Sequence, residues 1–176
     1  RVQSGICLVT VAAILVASIR LNWLDDLLKL KEEGKIDMIG ISNPDHRCDT
    51  ALPLVLSGAI DSVQTILNIF DPTALDSLIP ICQDKNVAVI ARTVMDEGGL
   101  TGFLQQDTHF DASDFRKTFF ERVPRNMYLE HVKALKSYIP EHASSLASLA
   151  IKFALKHSGV TTAIISMHIE SNANIN

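Results

Sequence analysis

Polar side chains recur at the ends of four short apolar runs, where a parallel sheet would bring them together. Ser, Asn, Gln, Arg and Thr occur at the first three runs, and the last run ends in a Ser-Met-His sequence. The residues concerned are Ser42, Asn43, Gln64, Asn68, Arg92, Thr93, Ser166, Met167 and His168. Because parallel α/β proteins bind ligands at the carboxyl ends of their strands, these groups suit a polar, planar ligand.

Gln64 is the most informative of these residues, because it lies inside an otherwise apolar run. A buried amide must find a hydrogen-bond partner or destabilise the fold by a few kcal/mol. Two partners are open for Gln64, a bound ligand or a neighbouring backbone group. The polar ends of all four runs favour the ligand.

Other kinds of site find little support in the sequence. The six histidines show no HxxxH or HxH spacing and the three cysteines no CxxC, so we predict no metal site and no disulfide framework. The odd number of cysteines favours a reducing compartment, and we expect the cytoplasm. No catalytic residue is predicted, because no nucleophile and base follow from spacing, Tyr128 falls on a helical pattern, and Asp96 and Glu97 are expected to be solvated.

The composition is that of an ordinary globular protein. The chain has 176 residues, of which 47% are hydrophobic and 20% charged, with a formal net charge of −4. It has no block of basic residues, whereas nucleic-acid binding relies on neutralising phosphates with Lys and Arg. We therefore predict no nucleic-acid partner.

Alternating strand and helix patterns must position the polar residues. Strands are predicted at Met38–Ile41, Val63–Leu67 and Val87–Ala91, which begin about 25 residues apart, with helices at about Thr50–Ser57 and Thr73–Lys85. Such units indicate parallel pairing with helices over the sheet, as in a (β/α) barrel or an open α/β sheet. Neither GxGxxG nor GxxxxGK[ST] occurs, so neither phosphate-binding fingerprint is present.

A long stretch from Thr93 to Pro124 interrupts this rhythm. A stretch of this length is predicted to be a lid or ligand clamp or, with equal weight, a surface insertion with one short helix. Helices are then predicted at Met127–Tyr138 and Ser144–His157, and a last buried strand at Thr161–Met167.

The first 20 residues form an apolar segment of their own. Ile6–Ile19 is almost uninterrupted apolar sequence, shorter than the about 20 residues that a membrane-spanning helix needs. A buried strand or helix is the favoured interpretation, and a signal sequence or membrane anchor is the alternative. Because residue 1 is Arg and not Met, we expect the chain to be processed, truncated or incomplete.

Several strings in register resemble the aldo/keto reductases over about residues 24–176. They are LLKLKEEGKIDMIGISN, DSVQTILN, VAVIARTVMDEGGLTG, SDFRKTFF and TTAIISM. The resemblance implies an α/β fold, a partial (β/α)8 TIM barrel that is roughly its second half, with strands five to eight and their helices. Residues 21–176 are assigned as the C-terminal half of an NADP-dependent oxidoreductase domain, and residues 1–20 as an apolar segment unmatched to the family.

The resemblance also implies a site for NADP(H). NAD(H) is the alternative, because His168 stands where the family often has Arg or Lys, and a mostly neutral His binds a phosphate less firmly. The implied cofactor-binding residues are Ser42, Asn43 and Gln64 at the nicotinamide carboxamide, Arg92 on the nicotinamide ring, Thr93, Gly98, Leu100 and Gly102 along the pyrophosphate, and Ser166, Met167, His168 and Asn172 or Asn176 at the adenosine end.

The implied reaction is hydride transfer from NADPH to a small-molecule aldehyde or ketone. The family's catalytic Asp, Tyr, Lys and His come from its first four strands, and no residue of this chain matches them. We therefore predict that the chain carries the cofactor-binding half of a reductase. The alternatives are a non-catalytic nucleotide-binding or interaction module and an inactive truncated fragment.

Overall fold

The computed structural model describes residues 6–10, 22–167 and 170. They form a parallel five-stranded sheet whose spatial order, β1-β2-β3-β4-β5, is also the order along the chain. Residues of the helices that connect the strands pack against one face of the sheet. This sequential order is consistent with part of a (β/α) barrel. The strands are β1 Ile6–Thr10, β2 Met38–Ser42, β3 Ser62–Ile66, β4 Ala88–Arg92 and β5 Thr162–Ala163.

Helices occupy the connections, and glycines end two of them. Gly34 (φ 67°) follows α1 and Gly58 (φ 73°) caps α2, in the left-handed conformation that glycine adopts without strain. The helices are α1 Trp23–Glu32, α2 Leu52–Ser57, α3 Leu78–Asp84, α4 Arg116–Phe120, α5 Arg125–Leu135, α6 Ile139–His142 and α7 Leu146–Leu155, with 3₁₀ turns at Cys48–Ala51, Thr73–Leu75, Asp96–Thr101 and Lys136–Tyr138.

The hydrophobic core lies between the sheet and the helices. Alternate residues of the three central strands are fully buried and contact apolar residues of α2, α3 and α7 in one cluster. The strand residues of this cluster are Ile39, Ile41, Val63, Val89 and Ala91, and the helix residues include Val55, Leu78 and Ala150. Because strand side chains alternate between faces, one face of the sheet is apolar and covered by these helices.

The opposite face of the sheet carries a different set of side chains. Ser42, Gln64 and Ile90 are neighbours in register across β2, β3 and β4. Gln64 and Ile90 are half-buried, whereas the residues that flank them in β3 and β4 are fully buried. This inner face, which corresponds to the interior of a barrel, is thus partly accessible in the portion of the chain that the structure describes.

The predicted central strands are confirmed, with ends shifted by no more than one residue. The two predicted helices between them are shorter than expected, because each begins with a 3₁₀ turn. In the second, Ser77 has φ −129° and ψ −72°, outside the helical range, and separates the turn at Thr73–Leu75 from α3. The strand interpretation of the N-terminal apolar run is confirmed over Ile6–Thr10, which pairs with β2, and residues 11–19 lie outside the described residues.

The prediction of a buried strand over Thr161–Met167 is wrong in length and in burial. Only Thr162 and Ala163 form a strand, and Ile164 and Met167 are 52% and 51% exposed. The partner strand sets this limit, because β4 ends at Arg92 and the backbone then turns at Thr93, whose φ is 55°. The last hydrogen bond of the pair runs from the Ile164 N–H to the Ala91 carbonyl (2.8 Å), and in this register residues 165–167 lie beyond the end of β4.

Helices α5 and α7 follow the predicted amphipathic patterns. α5 covers most of the range predicted as Met127–Tyr138, which ends in a 3₁₀ turn, and α7 lies within the predicted Ser144–His157. No helix among residues 22–167 is long and apolar enough to cross a membrane.

Candidate functional site

Ser42 and Gln64 lie side by side at the carboxyl ends of β2 and β3, on the inner face of the sheet. They are paired in register, and Ser42 is buried while Gln64 is half-buried. The Gln64 amide makes no hydrogen bond with any residue that the structure describes. Of the two partners considered for Gln64, the neighbouring backbone is therefore not used, and the amide is open to a ligand.

Asn43 follows β2 and turns its side chain to the helix-covered side. Its Nδ2 donates to the Thr65 Oγ1 (3.3 Å) and to the Cys48 carbonyl (3.4 Å), and its Oδ1 accepts from the Thr50 hydroxyl (3.4 Å). Its backbone N–H donates to the Gln64 carbonyl (2.9 Å). The amide of Asn43 thus holds the loop after β2 against β3, and its assigned contact with the carboxamide remains a prediction.

Arg92 bridges the ends of β4 and β2 across the carboxyl edge of the sheet. Its Nη2 donates to the Asn43 carbonyl (3.0 Å) and to Asp45 Oδ1 (2.9 Å), and its side chain is 18% exposed. Its Nε is buried and has no hydrogen-bond partner among the described residues. The guanidinium is therefore held at the rim as a planar cation, a group that can stack on an aromatic ring.

The backbone after β4 takes an unusual path. Thr93, Asp96 and Glu97 have φ values of 55°, 49° and 54°, in the left-handed region that non-glycine residues rarely adopt, and Gly98 has φ 96°. Thr93, Glu97 and Gly98 line a cavity of about 870 Å³. Ser166, from the segment after β5, lines the same cavity.

The cofactor-binding residues predicted beyond β4 are thus only partly brought together. Leu100 is fully buried in the core, and Gly102 (φ 84°) ends the turn without lining the cavity. Met167 is exposed, and His168 and Asn172 lie outside the described residues. Among the predicted pyrophosphate and adenosine residues, the structure therefore unites Thr93, Gly98 and Ser166 around the cavity, which also receives Ser145 and Arg116.

Asp96 is buried, and the prediction that it is solvated is wrong. It is 7% exposed, and its Oδ2 accepts from the Tyr128 hydroxyl of α5 (2.7 Å) while its Oδ1 accepts from Asn68 Nδ2 (3.3 Å). Burial raises the pKa of Asp96 although both hydrogen bonds act in the opposite direction. Burial, with the charge of Asp96, also raises the pKa of Tyr128 far above its usual range, so Tyr128 remains a hydroxyl donor.

The side chain of Asn68, beyond the end of β3, is hydrogen-bonded within the protein. Its Oδ1 accepts from the backbone N–H groups of Phe70 (2.8 Å) and Asp71 (2.9 Å), and its Nδ2 donates to the Thr93 carbonyl (3.0 Å). The Asn68 amide therefore has a structural role. The residue type and its spacing in the sequence do not distinguish such an amide from one that binds a ligand.

The long segment after β4 forms one wall of the cavity. Phe110 and Phe120 stack with ring centroids 5.6 Å apart, and the Arg116 guanidinium lies 5.2 Å from the Phe110 centroid. Asp114 accepts hydrogen bonds from Arg116, which holds the guanidinium in place. The segment contains the short helix α4, and its role as a lid or as a surface insertion remains a prediction.

A second cavity, of about 620 Å³, lies between the ends of β2 and β3 and helix α5. His46 Nδ1 is 2.7 Å from Asp71 Oδ2, and Arg122 Nη1 is 3.0 Å from His46 Nε2. Because arginine only donates, Nε2 is the acceptor and the Nδ1–H donates to Asp71.

Across residues 22–167, no three His, Cys, Asp or Glu side chains come together as a metal site would require.

Comparisons with known proteins agree with this architecture. The NADH-specific methylglyoxal reductase of Escherichia coli (strain K12) is 26% identical over 132 residues, which are 75% of this chain and 40% of that protein. The structure of a glycerol dehydrogenase from Gluconobacter oxydans superposes with a TM-score of 0.66 and 24% identity, over 80% of this chain and 43% of that one. The structure of an aldo-keto reductase from Bacillus halodurans in its holo form superposes with a TM-score of 0.60 and 22% identity, over 86% of this chain and 48% of that one.

The chain spans less than half the length of each of these relatives. The sequence model of the aldo/keto reductase family matches residues 8–176. The match begins within β1, so it extends further toward the N terminus than the resemblance over residues 24–176 and includes most of the apolar segment assigned to residues 1–20. The chain belongs to the aldo/keto reductase family.

Proposed function

We propose that the protein is an NAD(P)H-dependent oxidoreductase that reduces the carbonyl group of a small aldehyde or ketone to an alcohol. Membership of the aldo/keto reductase family supports an oxidoreductase activity. Because the chain spans less than half of its relatives, we assign to residues 21–176 the binding of the cofactor, as the second half of the barrel. The family's acid and base residues have no counterpart assigned here.

The observation that carries the proposal is the Gln64 amide beside the Ser42 hydroxyl. A nicotinamide carboxamide presents one acceptor oxygen and an NH₂ donor group, and a glutamine amide offers the complementary donor and acceptor. Gln64 is half-buried, and its amide has no hydrogen-bond partner within the described part of the chain. Leaving these amide groups unsatisfied costs free energy unless a ligand or water supplies the hydrogen bonds. The residues at this end therefore fit the nicotinamide group.

The remaining cofactor residues follow the carboxyl edge of the sheet. Arg92 would pack its planar guanidinium on the nicotinamide ring, and Thr93, Gly98 and Ser166 border the 870 Å³ cavity in which the pyrophosphate would lie. Gly98 brings backbone without a side chain to the cavity, which favours close approach of a ligand. The bound cofactor supplies the hydride, and these residues bind and orient it.

We propose NADP(H) as the cofactor, with NAD(H) as the alternative. The resemblance implies NADP(H), whereas the Escherichia coli relative is named as NADH-specific and His168 replaces a frequent cationic residue. We also propose the cytoplasm as the compartment, on the number of cysteines and on the free thiols of Cys48 and Cys82. Burial raises the pKa of the Cys82 thiol to about 11, which keeps it unreactive.

The test replaces Gln64 by methionine, which has a similar volume but cannot form both hydrogen bonds. We expect the chain to bind NADPH or NADH saturably, measured by cofactor fluorescence and calorimetry, and Gln64→Met to weaken this binding by about tenfold. Gln106→Met, at an exposed position of the long segment, is the matched control and should bind as the original chain does.

The outcomes separate the alternatives. Absence of saturable binding of either cofactor by the original chain would contradict the proposal, and equal binding by Gln64→Met would remove Gln64 from the site. A panel of small aldehydes and ketones then tests turnover through consumption of NADPH. Binding without turnover, when the remainder of the barrel is supplied as well, would favour a non-catalytic nucleotide-binding module.

A further inference from the structure

The turn after β4 needs support from elsewhere in the molecule. Asp96 and Glu97 both have positive φ, and consecutive non-glycine residues in this region persist only when surrounding contacts hold them. Glu97 and Gly98 line the 870 Å³ cavity, whereas Asp96 does not. Asp96 is 7% exposed and instead borders the second cavity, of about 620 Å³, as Tyr128 does. The shape of the cavity wall therefore depends on what holds Asp96.

Two side chains from distant parts of the chain hold it. The Tyr128 hydroxyl, on α5, donates to Asp96 Oδ2 (2.7 Å) across 32 residues of sequence. Asn68 donates through one NH₂ group to Asp96 Oδ1 (3.3 Å) and to the Thr93 carbonyl (3.0 Å). The turn is thus fixed near both of its ends, and bonds to a buried carboxylate are among the stronger hydrogen bonds in proteins.

Gly99 makes room for the Tyr128 hydroxyl. A Cβ at this position would lie 1.9 Å from Tyr128 Oη and 2.6 Å from Cζ, so only glycine permits the approach. The Tyr128 ring is held by edge-to-face contacts with Phe70 and Phe120, with centroids 5.2 Å and 5.5 Å away. Gly99 therefore leaves the space that the Tyr128 hydroxyl occupies, and the two phenylalanine rings fix the orientation of the Tyr128 ring toward Asp96.

We infer that Tyr128 and Asp96 form a positioning pair that holds the left-handed turn at Asp96–Gly98 in the shape required to receive the cofactor. Neither residue lines the 870 Å³ cavity, so both act through the backbone of Glu97 and Gly98. The inference rests on the proposed function only in naming a nicotinamide dinucleotide as the molecule that the cavity receives.

The test removes one oxygen atom with Tyr128→Phe and compares it with Tyr138→Phe, which alters the other, exposed tyrosine of the chain. In the cofactor-free protein, we expect Tyr128→Phe to accelerate hydrogen exchange of the amides in residues 96–102 by about tenfold, with exchange in β2 and β3 unchanged. It should weaken NADPH binding by a similar factor, and Tyr138→Phe should change neither quantity.

A second variant covers the case in which Tyr128→Phe does not fold. Asp96→Asn keeps one acceptor oxygen where two accept from Tyr128 and Asn68, and we expect the same local pattern from it. Unchanged exchange in residues 96–102, or an equal acceleration throughout the sheet, would overturn the positioning role. Failure of the original chain to bind either cofactor would instead count against the proposed function, because the exchange experiment needs no cofactor.

Discussion

Asp61 shows at the residue scale how one carboxylate joins three elements. Its Oδ2 accepts from Lys31 Nζ at the end of α1 (2.6 Å) and from the Ile39 N–H in β2 (2.8 Å), and Asp61 itself directly precedes β3. Burial would raise the pKa of Asp61, but the hydrogen bonds from Lys31 and Ile39 outweigh burial and lower it below its ordinary value of 3.8. The ionised form therefore stabilises the fold.

We expect Asp61→Asn to lower the free energy of unfolding by about 1 kcal/mol at pH 7, a value kept small because the ion pair is about one-third exposed. Because the pKa of Asp61 is lower in the native than in the unfolded protein, ionised Asp61 stabilises the native state at pH values above the unfolded-state pKa. This stabilisation is lost as the pH falls through the native-state pKa. Urea unfolding at pH 7 and below pH 3 checks this, and the difference between the two proteins should shrink in acid. Asp107→Asn, in an exposed loop, is the control, and an equal loss there would contradict the argument.

Single residues also mark how far the sequence predicts the site. Ser42 and Gln64 could be placed on one face, because neighbouring parallel strands were recognised and their carboxyl ends meet at one edge. The burial of Asp96 could not, because its partner Tyr128 lies 32 residues later and no local pattern links the two. The sequence predicts Asn68 as a polar residue at a strand end, but its hydrogen bond to the Thr93 carbonyl depends on the turn that follows β4.

At the scale of elements, α7 begins with a well-formed cap. Ser145 is extended (φ −158°), and its hydroxyl accepts from the Ser148 N–H (3.0 Å). This bond satisfies one of the backbone donors that the first turn of a helix leaves unpaired. α7 contributes Ala150, Ile151 and Ala154 to the core cluster, so a cap that stabilises this helix also stabilises the core.

We expect Ser145→Ala to lower the free energy of unfolding by about 1 kcal/mol. Ser144→Ala is the matched control, because Ser144 is the exposed neighbour and makes no hydrogen bond to the described residues through its side chain. Thermal and urea unfolding followed by circular dichroism measure both variants. Equal stability of the two variants would show that the cap does not stabilise the helix.

Elements were predicted best where their own pattern decides them. The amphipathic periodicity of α5 and α7 and the apolar runs of β2, β3 and β4 were sufficient, because burial on one face fixes these elements. The length of β5 is not predictable from its apolar run, because β4 ends at Arg92 and leaves residues 165–167 without a partner strand. The 3₁₀ turns before α2 and α3 are likewise not predictable from periodicity, because they carry hydrogen bonds to side chains of the preceding loops, from Thr50 to Asn43 and from Thr73 to Asp71.

Across the whole molecule, stability is concentrated in the centre of the sheet. Strands β2, β3 and β4 each contribute fully buried residues to the core, whereas Thr162 is exposed and Ala163 half-buried in β5. We expect amide hydrogen exchange in β3 and β4 to be at least about a hundredfold slower than in residues 162–164. Comparable protection in both regions would mean that β5 is held by contacts outside the described residues.

The spacing of contacts along the chain has a consequence for how the molecule is assembled. Asn43 and Thr65, at the ends of β2 and β3, are bonded across 22 residues, whereas Val89 of β4 reaches Thr161, beside β5, across 72. Closing a longer loop costs more conformational entropy, and a growing chain presents its earlier strands first. β2 to β4 can therefore form while synthesis continues, and the cavity that Ser166 helps to line is completed only after the segment that follows β5 has been synthesised.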